Sequence, residues 1–129
     1  HHPTAVAETL AAVRAAYPGQ RIWAIFEPRS ATACRRLIEA DLASALMKAD
    51  EVVLAPVYRK TVAESMRLSP ERVIAMLTTN GIRARYLSEV GDIVKVVAEE
   101  AREGDQIVIM SNGAFAGIHH KLLTVLSVA

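Results

Sequence analysis

The sequence predicts an α/β fold in three layers, in which a mainly parallel β-sheet is flanked by helices on both faces. Two observations predict it. Short runs rich in β-branched and aromatic residues alternate with longer runs whose apolar residues recur at helical spacing. The resulting order is α-β-α-β-α-β-α-β-α, and strands separated by helices in this way pair in parallel through right-handed crossovers.

Composition limits the class of protein. The 129 residues are 52% hydrophobic and 22% charged, which is typical of one folded domain over residues 1–129 and not of a disordered chain. A net charge of +1 gives no electrostatic basis for general binding to nucleic acid or to a membrane. No apolar run approaches the roughly 18 residues that a membrane span needs. The single cysteine, Cys34, excludes an internal disulfide and favours a reducing compartment, the cytoplasm.

Four strands are predicted, at residues 21–26, 52–55, 84–87 and 107–110. The first, RIWAIF, is short and rich in β-forming residues, which is typical of a central strand. The third, ARYL, is placed nearer an edge of the sheet.

The first two helices are marked by their ends and by their apolar faces. Pro3 suits the first position of a helix over residues 3–17, which Pro18 and Gly19 end. A second helix follows the first strand, and Cys34 is interpreted as a packing residue on it. Its predicted inner face consists of Cys34, Ile38, Leu42, Ala45 and Leu46.

Later boundaries are predicted in the same way. Residues 57–68 have no clean periodicity and are expected to form an extended loop. Ser69 caps the following helix, which ends where Gly81 supplies a left-handed residue. Ser88 is the predicted cap of the next helix, and the last helix opens near Ile118. Together these elements predict a Rossmann-like domain.

Polar turns follow three of the predicted strands at their carboxyl ends. Arg29 follows the first strand, Arg59 and Lys60 follow the second, and the turn at residues 111–117 follows the last. In an open α/β sheet such turns gather at one edge and line the binding site. Arginine can clamp a carboxylate or a phosphate, and free N–H groups at a helix start also bind anions, so the pattern predicts an anion-binding crevice. The alternatives are solvated loop charges for Arg59 and Lys60, and an ion pair with Glu27 for Arg29.

Several familiar motifs are absent from the sequence. It has no GxxxxGKS/T phosphate loop and no GxSxG elbow, and its first strand–helix turn reads FEPRSAT instead of GxGxxG. Aromatic residues are only 5% and are not interleaved with basic ones, which argues against stacking on single-stranded nucleic acid. The histidines form two adjacent pairs, and adjacent helical residues diverge too far to share a zinc ion, so no metal site is predicted.

Four segments together resemble the C-terminal domain of the Mur ligases. They are HHPT at the head of the first helix, FEPRS after the first strand, LAPVYRK at the second strand, and MSNGAFAGIHHKLL at the end. Their order and spacing make the resemblance cover essentially the whole chain. FEPRS and SNGAFAG are most similar to the murein-recycling branch of the family.

The resemblance implies a three-domain, ATP- and Mg²⁺-dependent amide ligase of the bacterial cytoplasm. Such an enzyme joins the murein tripeptide L-Ala-γ-D-Glu-meso-diaminopimelate to UDP-N-acetylmuramate in peptidoglycan recycling, by way of an acyl phosphate. This chain is then the C-terminal, peptide-substrate-binding domain, whereas a central domain holds ATP and Mg²⁺. The 129-residue chain alone is therefore expected to be inactive, and its start at HHPT predicts a longer protein.

The same resemblance implies the site residues, none of them catalytic. His2 is expected near the hinge or the nucleotide, and Ala31 departs from the Asn typical of this branch. The residues expected to bind the peptide substrate are Arg29, Ser30, Thr32, Arg59, Lys60, Ser111, Asn112, Gly113 and Phe115.

Two other functions are compatible with the residues. The first is a stand-alone Rossmann-like module that binds an anion or a nucleotide. The second is a single-domain enzyme with His119 or Lys60 as an acid–base group, although no paired partner is visible in the sequence.

Overall fold

The structure is a computed structural model that describes residues 2–28, 34–57, 63–111 and 115–127. Within them the predicted alternation of strands and helices is confirmed. The strands are β1 (Ile22–Phe26), β2 (Glu51–Leu54), β3 (Arg83–Tyr86) and β4 (Gln106–Met110). The helices are α1 (Pro3–Ala16), α2 (Glu39–Leu46), α3 (Pro70–Thr79), α4 (Val90–Glu100) and α5 (Ile118–Ser127).

The strands form one parallel sheet in the order β3-β2-β1-β4. The predictions of a central β1 and an edge position for β3 are therefore confirmed. Ala24 of β1 pairs with Val52 on one side and with Val108 on the other. The chain moves from β1 outward to β3, then crosses back through α4 to place β4 on the other side of β1. The strand order therefore reverses between β1 and β4.

Both faces of the sheet are buried, which confirms the three layers. The side chains of β1 alternate between two apolar clusters, since Ala24 and Phe26 contribute to one and Trp23 and Ile25 to the other. The first cluster includes residues of α1, α2 and α3, and the second includes residues of α4 and α5. Every residue of β1 has no exposed surface, which explains its continuously apolar sequence.

Both predicted ends of α3 are confirmed. The Ser69 side chain accepts a hydrogen bond from the backbone N–H of Arg72 at 3.3 Å, and Pro70 occupies the first helical position of α3. Gly81, just after the helix, has a φ of 81°, the left-handed conformation that favours glycine.

The structure corrects the predicted start of the second helix. Arg35 is extended and forms an isolated antiparallel bridge with Arg67, so the α-helix begins only at Glu39, after a 3₁₀ turn over Arg36–Ile38. The predicted inner-face residues are nonetheless all buried. The segment expected to be an extended loop also holds a 3₁₀ turn, Glu64–Met66.

The predicted cap of α4 was wrong. Glu89 is the cap residue and makes no side-chain capping bond, whereas its carbonyl accepts from the backbone N–H groups of Asp92 and Ile93. Ser88 therefore stands one residue too early to reach the first turn.

Candidate functional site

The candidate site lies where the strand order reverses, at the carboxyl ends of β1 and β4. In open parallel sheets this is the position of the ligand crevice. The backbone N–H of Glu27, just after β1, donates to the carbonyl of Met110 at 3.0 Å. The Ser111 hydroxyl, just after β4, donates to Glu27 Oε1 at 2.6 Å. These two bonds hold the predicted first and last turns side by side.

The first turn is also closed at its base. Cys34 is fully buried, as predicted for a packing residue, and its thiol donates to the carbonyl of Pro28 at 3.1 Å. This bond joins the two described residues, Pro28 and Cys34, that flank residues 29–33.

The loop after β2 is joined to the first turn by backbone pairing. The N–H of Leu68 donates to the carbonyl of Cys34 at 2.8 Å, next to the bridge between Arg35 and Arg67. The segments that follow β1 and β2 therefore meet at one edge of the sheet, as a crevice there requires.

An ion pair between a buried carboxylate and a partly exposed arginine lies at this same edge. The carboxylate of Glu39, at the start of α2, accepts from Arg72 Nε at 2.7 Å and from the backbone N–H of Ser69 at 2.8 Å. Burial alone would raise the pKa of the Glu39 carboxyl, but the hydrogen bonds from Arg72 and Ser69 lower it below its usual value. The hydrogen bond to the Glu39 carboxylate and the negative charge of that group raise the pKa of the Arg72 guanidinium above its usual value.

Of the predicted binding residues, Ser111 and Phe115 are described. Ser111 lies at the carboxyl edge of β4, as stated above. Phe115 has no exposed surface and packs with Ile118 and Leu122 in the cluster beneath α4 and α5. The Phe115 side chain thus anchors the turn from inside the core, and its predicted contact with a ligand stays a prediction. Its φ of 50° is uncommon for a bulky residue.

Seven predicted binding residues lie outside the described part of the chain. No geometry is assigned to them, and their roles stay predictions. They are Arg29, Ser30, Thr32, Arg59, Lys60, Asn112 and Gly113.

His2 is the cap residue of α1. The Nδ1 atom of His2 accepts a hydrogen bond from the backbone N–H of Thr4 at 3.2 Å, and His2 is exposed. A cavity of about 370 Å³ next to it is lined by polar residues of α2 and the turn after it, among them Asp41, Ser44 and Lys48. The structure therefore gives His2 a capping role, and its predicted nearness to a hinge or nucleotide stays a prediction.

The amino edge of the sheet carries a different set of charges. Asp105 Oδ2 accepts from Arg21 Nη2 at 2.7 Å, from Trp23 Nε1 at 2.9 Å and from the backbone N–H of Arg102 at 2.9 Å. Burial alone would raise the pKa of the Asp105 carboxyl, yet these hydrogen bonds and the charge of Arg21 lower it below its usual value. The Arg21 guanidinium also lies over the Trp23 ring, 5.3 Å from its centre.

A second network at the amino edge joins β2, β3 and α4. Arg85 Nη1 donates to Glu100 Oε2 at 2.7 Å, and Arg83 Nε lies 3.4 Å from Oε2 of the buried Glu51. These opposite charges pair with one another and join β2, β3 and α4 at the amino edge.

Sequence reasoning missed the Glu39–Arg72 pair and the bond from Ser111 to Glu27. The bond from Ser111 to Glu27 had one signal in the sequence, since Glu27 is a charged residue immediately after a buried strand. Only Arg29 was considered as the partner of Glu27. Among the described residues no three or more His, Cys, Asp or Glu side chains are grouped so as to hold a metal ion. No helix in the described ranges is long and apolar enough to cross a membrane.

Comparison with known proteins shows which family this chain resembles in sequence and in structure. Residues 1–113 match the family model described as "Mur ligase, glutamate ligase domain". The chain is 39% identical over 125 residues to the UDP-N-acetylmuramate–L-alanyl-γ-D-glutamyl-meso-2,6-diaminoheptandioate ligase of Escherichia coli strain K12. This match covers 95% of the chain and 25% of that relative.

Two further matches bear on the function. The crystal structure of a murein peptide ligase from Psychrobacter arcticus superposes with a TM-score of 0.78 and 36% identity, covering 98% of this chain and 26% of that one. A UDP-N-acetylmuramate–L-alanine ligase of Verminephrobacter eiseniae is 32% identical, and the match covers 98% of this chain and 26% of the relative. The chain thus spans about a quarter of the length of these relatives.

Proposed function

This chain belongs to the Mur ligase family, and we propose that it is the C-terminal domain of an ATP-dependent ligase, in which it positions the incoming peptide. The reaction proposed joins L-Ala-γ-D-Glu-meso-diaminopimelate to UDP-N-acetylmuramate in peptidoglycan recycling, in the bacterial cytoplasm. The observation that carries this proposal is the 39% identity to the Escherichia coli ligase with that named activity. Because the chain spans only about a quarter of that relative, the proposal includes further domains in the same protein.

The geometry of the carboxyl edge supports a positioning role. Ser111 and Glu27 join the turns that follow β4 and β1, and Cys34 and Leu68 join the segments that follow β1 and β2. Residues carried by these turns would therefore act on one ligand. The proposed tripeptide has several carboxylates, which suit guanidinium and ammonium partners such as Arg29, Arg59 and Lys60.

ATP and Mg²⁺, held mainly by the proposed central domain, would supply the activation of the muramoyl carboxylate. The part assigned to this chain is to bind the peptide and to direct its amine towards the activated carboxyl group. Holding two reactants in productive geometry turns a bimolecular step into an effectively unimolecular one, so misplacement of the amine would slow the reaction. No catalytic proton transfer is assigned to a residue of this chain.

A second candidate function is ligation of L-alanine to UDP-N-acetylmuramate. The relative from Verminephrobacter eiseniae, with that named activity, is 32% identical to the chain. Both candidates use an amine nucleophile, so an assay of the complete protein with tripeptide and with L-alanine as competing amines discriminates between them. A larger kcat/KM for L-alanine would overturn the tripeptide assignment.

The substitution Arg29→Ala tests the binding edge. In the complete protein we expect kcat/KM for the tripeptide to fall about 10- to 100-fold, since a lost charge-assisted hydrogen bond is worth about 1.5–3 kcal/mol. Arg102→Ala is the control, because Arg102 is exposed at the opposite edge of the sheet. If both variants match the unmodified enzyme, Arg29 does not bind the substrate.

Two related measurements test the domain assignment. The 129-residue chain alone, with ATP, Mg²⁺, UDP-N-acetylmuramate and tripeptide, is expected to show no ligation. Turnover by the chain alone would overturn the proposal that other domains supply the nucleotide site. A stand-alone anion- or nucleotide-binding module would instead be favoured if the natural reading frame holds no phosphate loop upstream of this domain.

A further inference from the structure

The bond between Ser111 and Glu27 fixes which of the two groups donates. A serine hydroxyl has one hydrogen to donate and two lone pairs that accept, whereas a carboxylate has no hydrogen and only accepts. The hydroxyl hydrogen of Ser111 therefore points to Glu27 Oε1, 2.6 Å away, a length typical of a strong charge-assisted bond. Towards any third group, Ser111 Oγ is consequently an acceptor.

The neighbouring backbone adds further acceptors to this place, which we call the β1–β4 junction and define as Glu27, Pro28 and Ser111. The N–H of Glu27 already donates to the carbonyl of Met110 at 3.0 Å, and Pro28 has no N–H. The groups considered so far thus present oxygen atoms and one negative charge. Such a surface attracts an N–H donor, above all a cation, and repels a carboxylate.

The β1–β4 junction lies where a ligand can reach it. Glu27 and Ser111 are both partly exposed, whereas only 6% of the Glu39 side chain and 7% of the Asp105 side chain are exposed. The strand order reverses between β1 and β4, and in open parallel sheets the ligand crevice opens at that point. The negative charge of Glu27 therefore stands at the place where the fold brings a ligand.

We propose that Glu27 and Ser111 together bind the α-amino group of the incoming substrate. The Glu27 carboxylate and Ser111 Oγ accept hydrogen bonds from that group, and the carboxylates of the peptide bind elsewhere in the crevice. Both candidate substrates, the tripeptide and L-alanine, present the α-amino group of an alanine, and it is this group that the pair would recognise. The inference rests on the proposed function, which takes this chain to position the incoming amine.

A cycle that changes both the protein and the ligand tests this assignment. The complete protein is saturated with UDP-N-acetylmuramate and a non-hydrolysable ATP analogue, and calorimetry measures Kd for two ligands. One is the tripeptide, and the other is an analogue in which a propionyl group replaces L-alanyl, so that only the α-amino group is missing. In the unmodified protein we expect the analogue to bind about tenfold more weakly, because it loses a charge-assisted hydrogen bond.

Glu27→Gln should abolish this preference. The variant keeps the size of the side chain and an acceptor oxygen for Ser111 but removes the charge, so we expect the tripeptide and the analogue to bind with nearly equal Kd. If Glu27 only joins the two turns, or pairs with Arg29, the substitution weakens both ligands by the same factor, and the inference is overturned. Unchanged affinity for both ligands also overturns it.

Ser111→Ala is a second variant, which keeps the test decisive if Glu27→Gln fails to fold. It removes one acceptor and leaves the Glu27 charge in place. We expect it to weaken the tripeptide more than the propionyl analogue, and equal weakening of the two would contradict a contact between Ser111 and the α-amino group.

Glu71→Gln is the matched control. Glu71 Oε2 also accepts from a serine hydroxyl, that of Ser69 at 3.0 Å, but this pair lies at the exposed start of α3. We expect Glu71→Gln to leave both Kd values unchanged. If it reduced the preference for the α-amino group as much as Glu27→Gln does, the effect would be one of overall charge, and the contact at the β1–β4 junction would be refuted.

The outcomes separate this inference from the proposed function. If the complete protein ligates the tripeptide and Glu27→Gln keeps the full preference for the α-amino group, the inference falls and the proposed function stands. If the unmodified protein neither binds nor ligates the tripeptide, the proposed function falls, and the inference falls with it.

Discussion

Replacing Asp105 with asparagine should remove the charge at the centre of the amino-edge network while preserving its shape. Four hydrogen bonds from described residues converge on Asp105 Oδ2, two from Arg21 and one each from Trp23 and the backbone of Arg102. An asparagine carbonyl oxygen can take the place of Oδ2. The substitution therefore tests the value of the negative charge and not that of a missing acceptor.

The expected loss of stability is about 2 kcal/mol at pH 7. Charge-assisted hydrogen bonds are roughly twice as strong as neutral ones, so conversion of four bonds to neutral ones removes a few tenths to about 1 kcal/mol from each. The summed loss of stability is smaller than four full differences, because 22% of the Arg21 side chain is exposed to solvent. The Arg21 guanidinium also keeps its contact with the Trp23 ring. A loss of about 2 kcal/mol lowers the melting temperature of a domain of this size by about 8 °C.

The pH dependence identifies the charge as the cause. Because the pKa of the Asp105 carboxyl is lowered in the folded protein, the unfolded chain binds this proton first as the pH falls. The stabilisation is fully present above the pKa of the unfolded chain, which is about 3.9, and is lost as the pH falls through the folded value. The difference in unfolding free energy between the two proteins should thus be constant from pH 7 to about pH 5 and shrink below about pH 4.

Urea denaturation of both proteins at a series of pH values measures this difference. Asp50→Asn is the control, since Asp50 also pairs with an arginine but 43% of its side chain is exposed, and we expect it to cost less than about 1 kcal/mol. The reasoning is refuted if Asp105→Asn costs less than Asp50→Asn at pH 7, or if the difference persists unchanged at pH 3.

Two further substitutions test the backbone and the core. Gly81→Ala should destabilise the chain by about 1 kcal/mol, because the φ of Gly81 is 81°, even though nothing lies within 4 Å of an added Cβ. Gly91→Ala, inside α4, is the control and should be neutral or stabilising. Equal changes in melting temperature for the two variants would contradict this prediction. Ile25→Ala should lower the unfolding free energy by about 3 kcal/mol, since Ile25 is fully buried in β1. Leu37→Ala should change it by less than about 0.5 kcal/mol, because Leu37 is 86% exposed. Similar losses from Ile25→Ala and Leu37→Ala in urea denaturation would show that Ile25 is not a core residue.

Much of the fold could be predicted because the relevant signals are local. The apolar run of β1 predicted a central strand, and Ser69 with Pro70 predicted the start of α3, since both depend on neighbouring residues. The prediction was wrong at Ser88, because Glu89 took the cap position. It was also wrong about the start of the second helix, where pairing of Arg35 with Arg67 kept the chain extended.

The candidate site could be predicted only as a region. The rule that turns gather at the carboxyl edge placed Ser111 beside the end of β1, but it did not identify Glu27 as its partner, 84 positions away. Phe115 was predicted in the wall of the site on the basis of the resemblance, and the structure adds that its side chain is in the core. The Glu39–Arg72 pair, 33 positions apart, left no pattern in either segment.

The sequence by itself determined the α/β class, the order of the elements and the family, because these depend on periodicity, turn residues and motifs that are contiguous in the chain. Only the tertiary structure decided the strand order β3-β2-β1-β4, the reversal between β1 and β4, and the partners of the buried carboxylates. The physical reason is that a charge buried at one strand or helix end takes its partner from whichever element the sheet order places beside it. The local sequence therefore does not specify the partner of a buried charge.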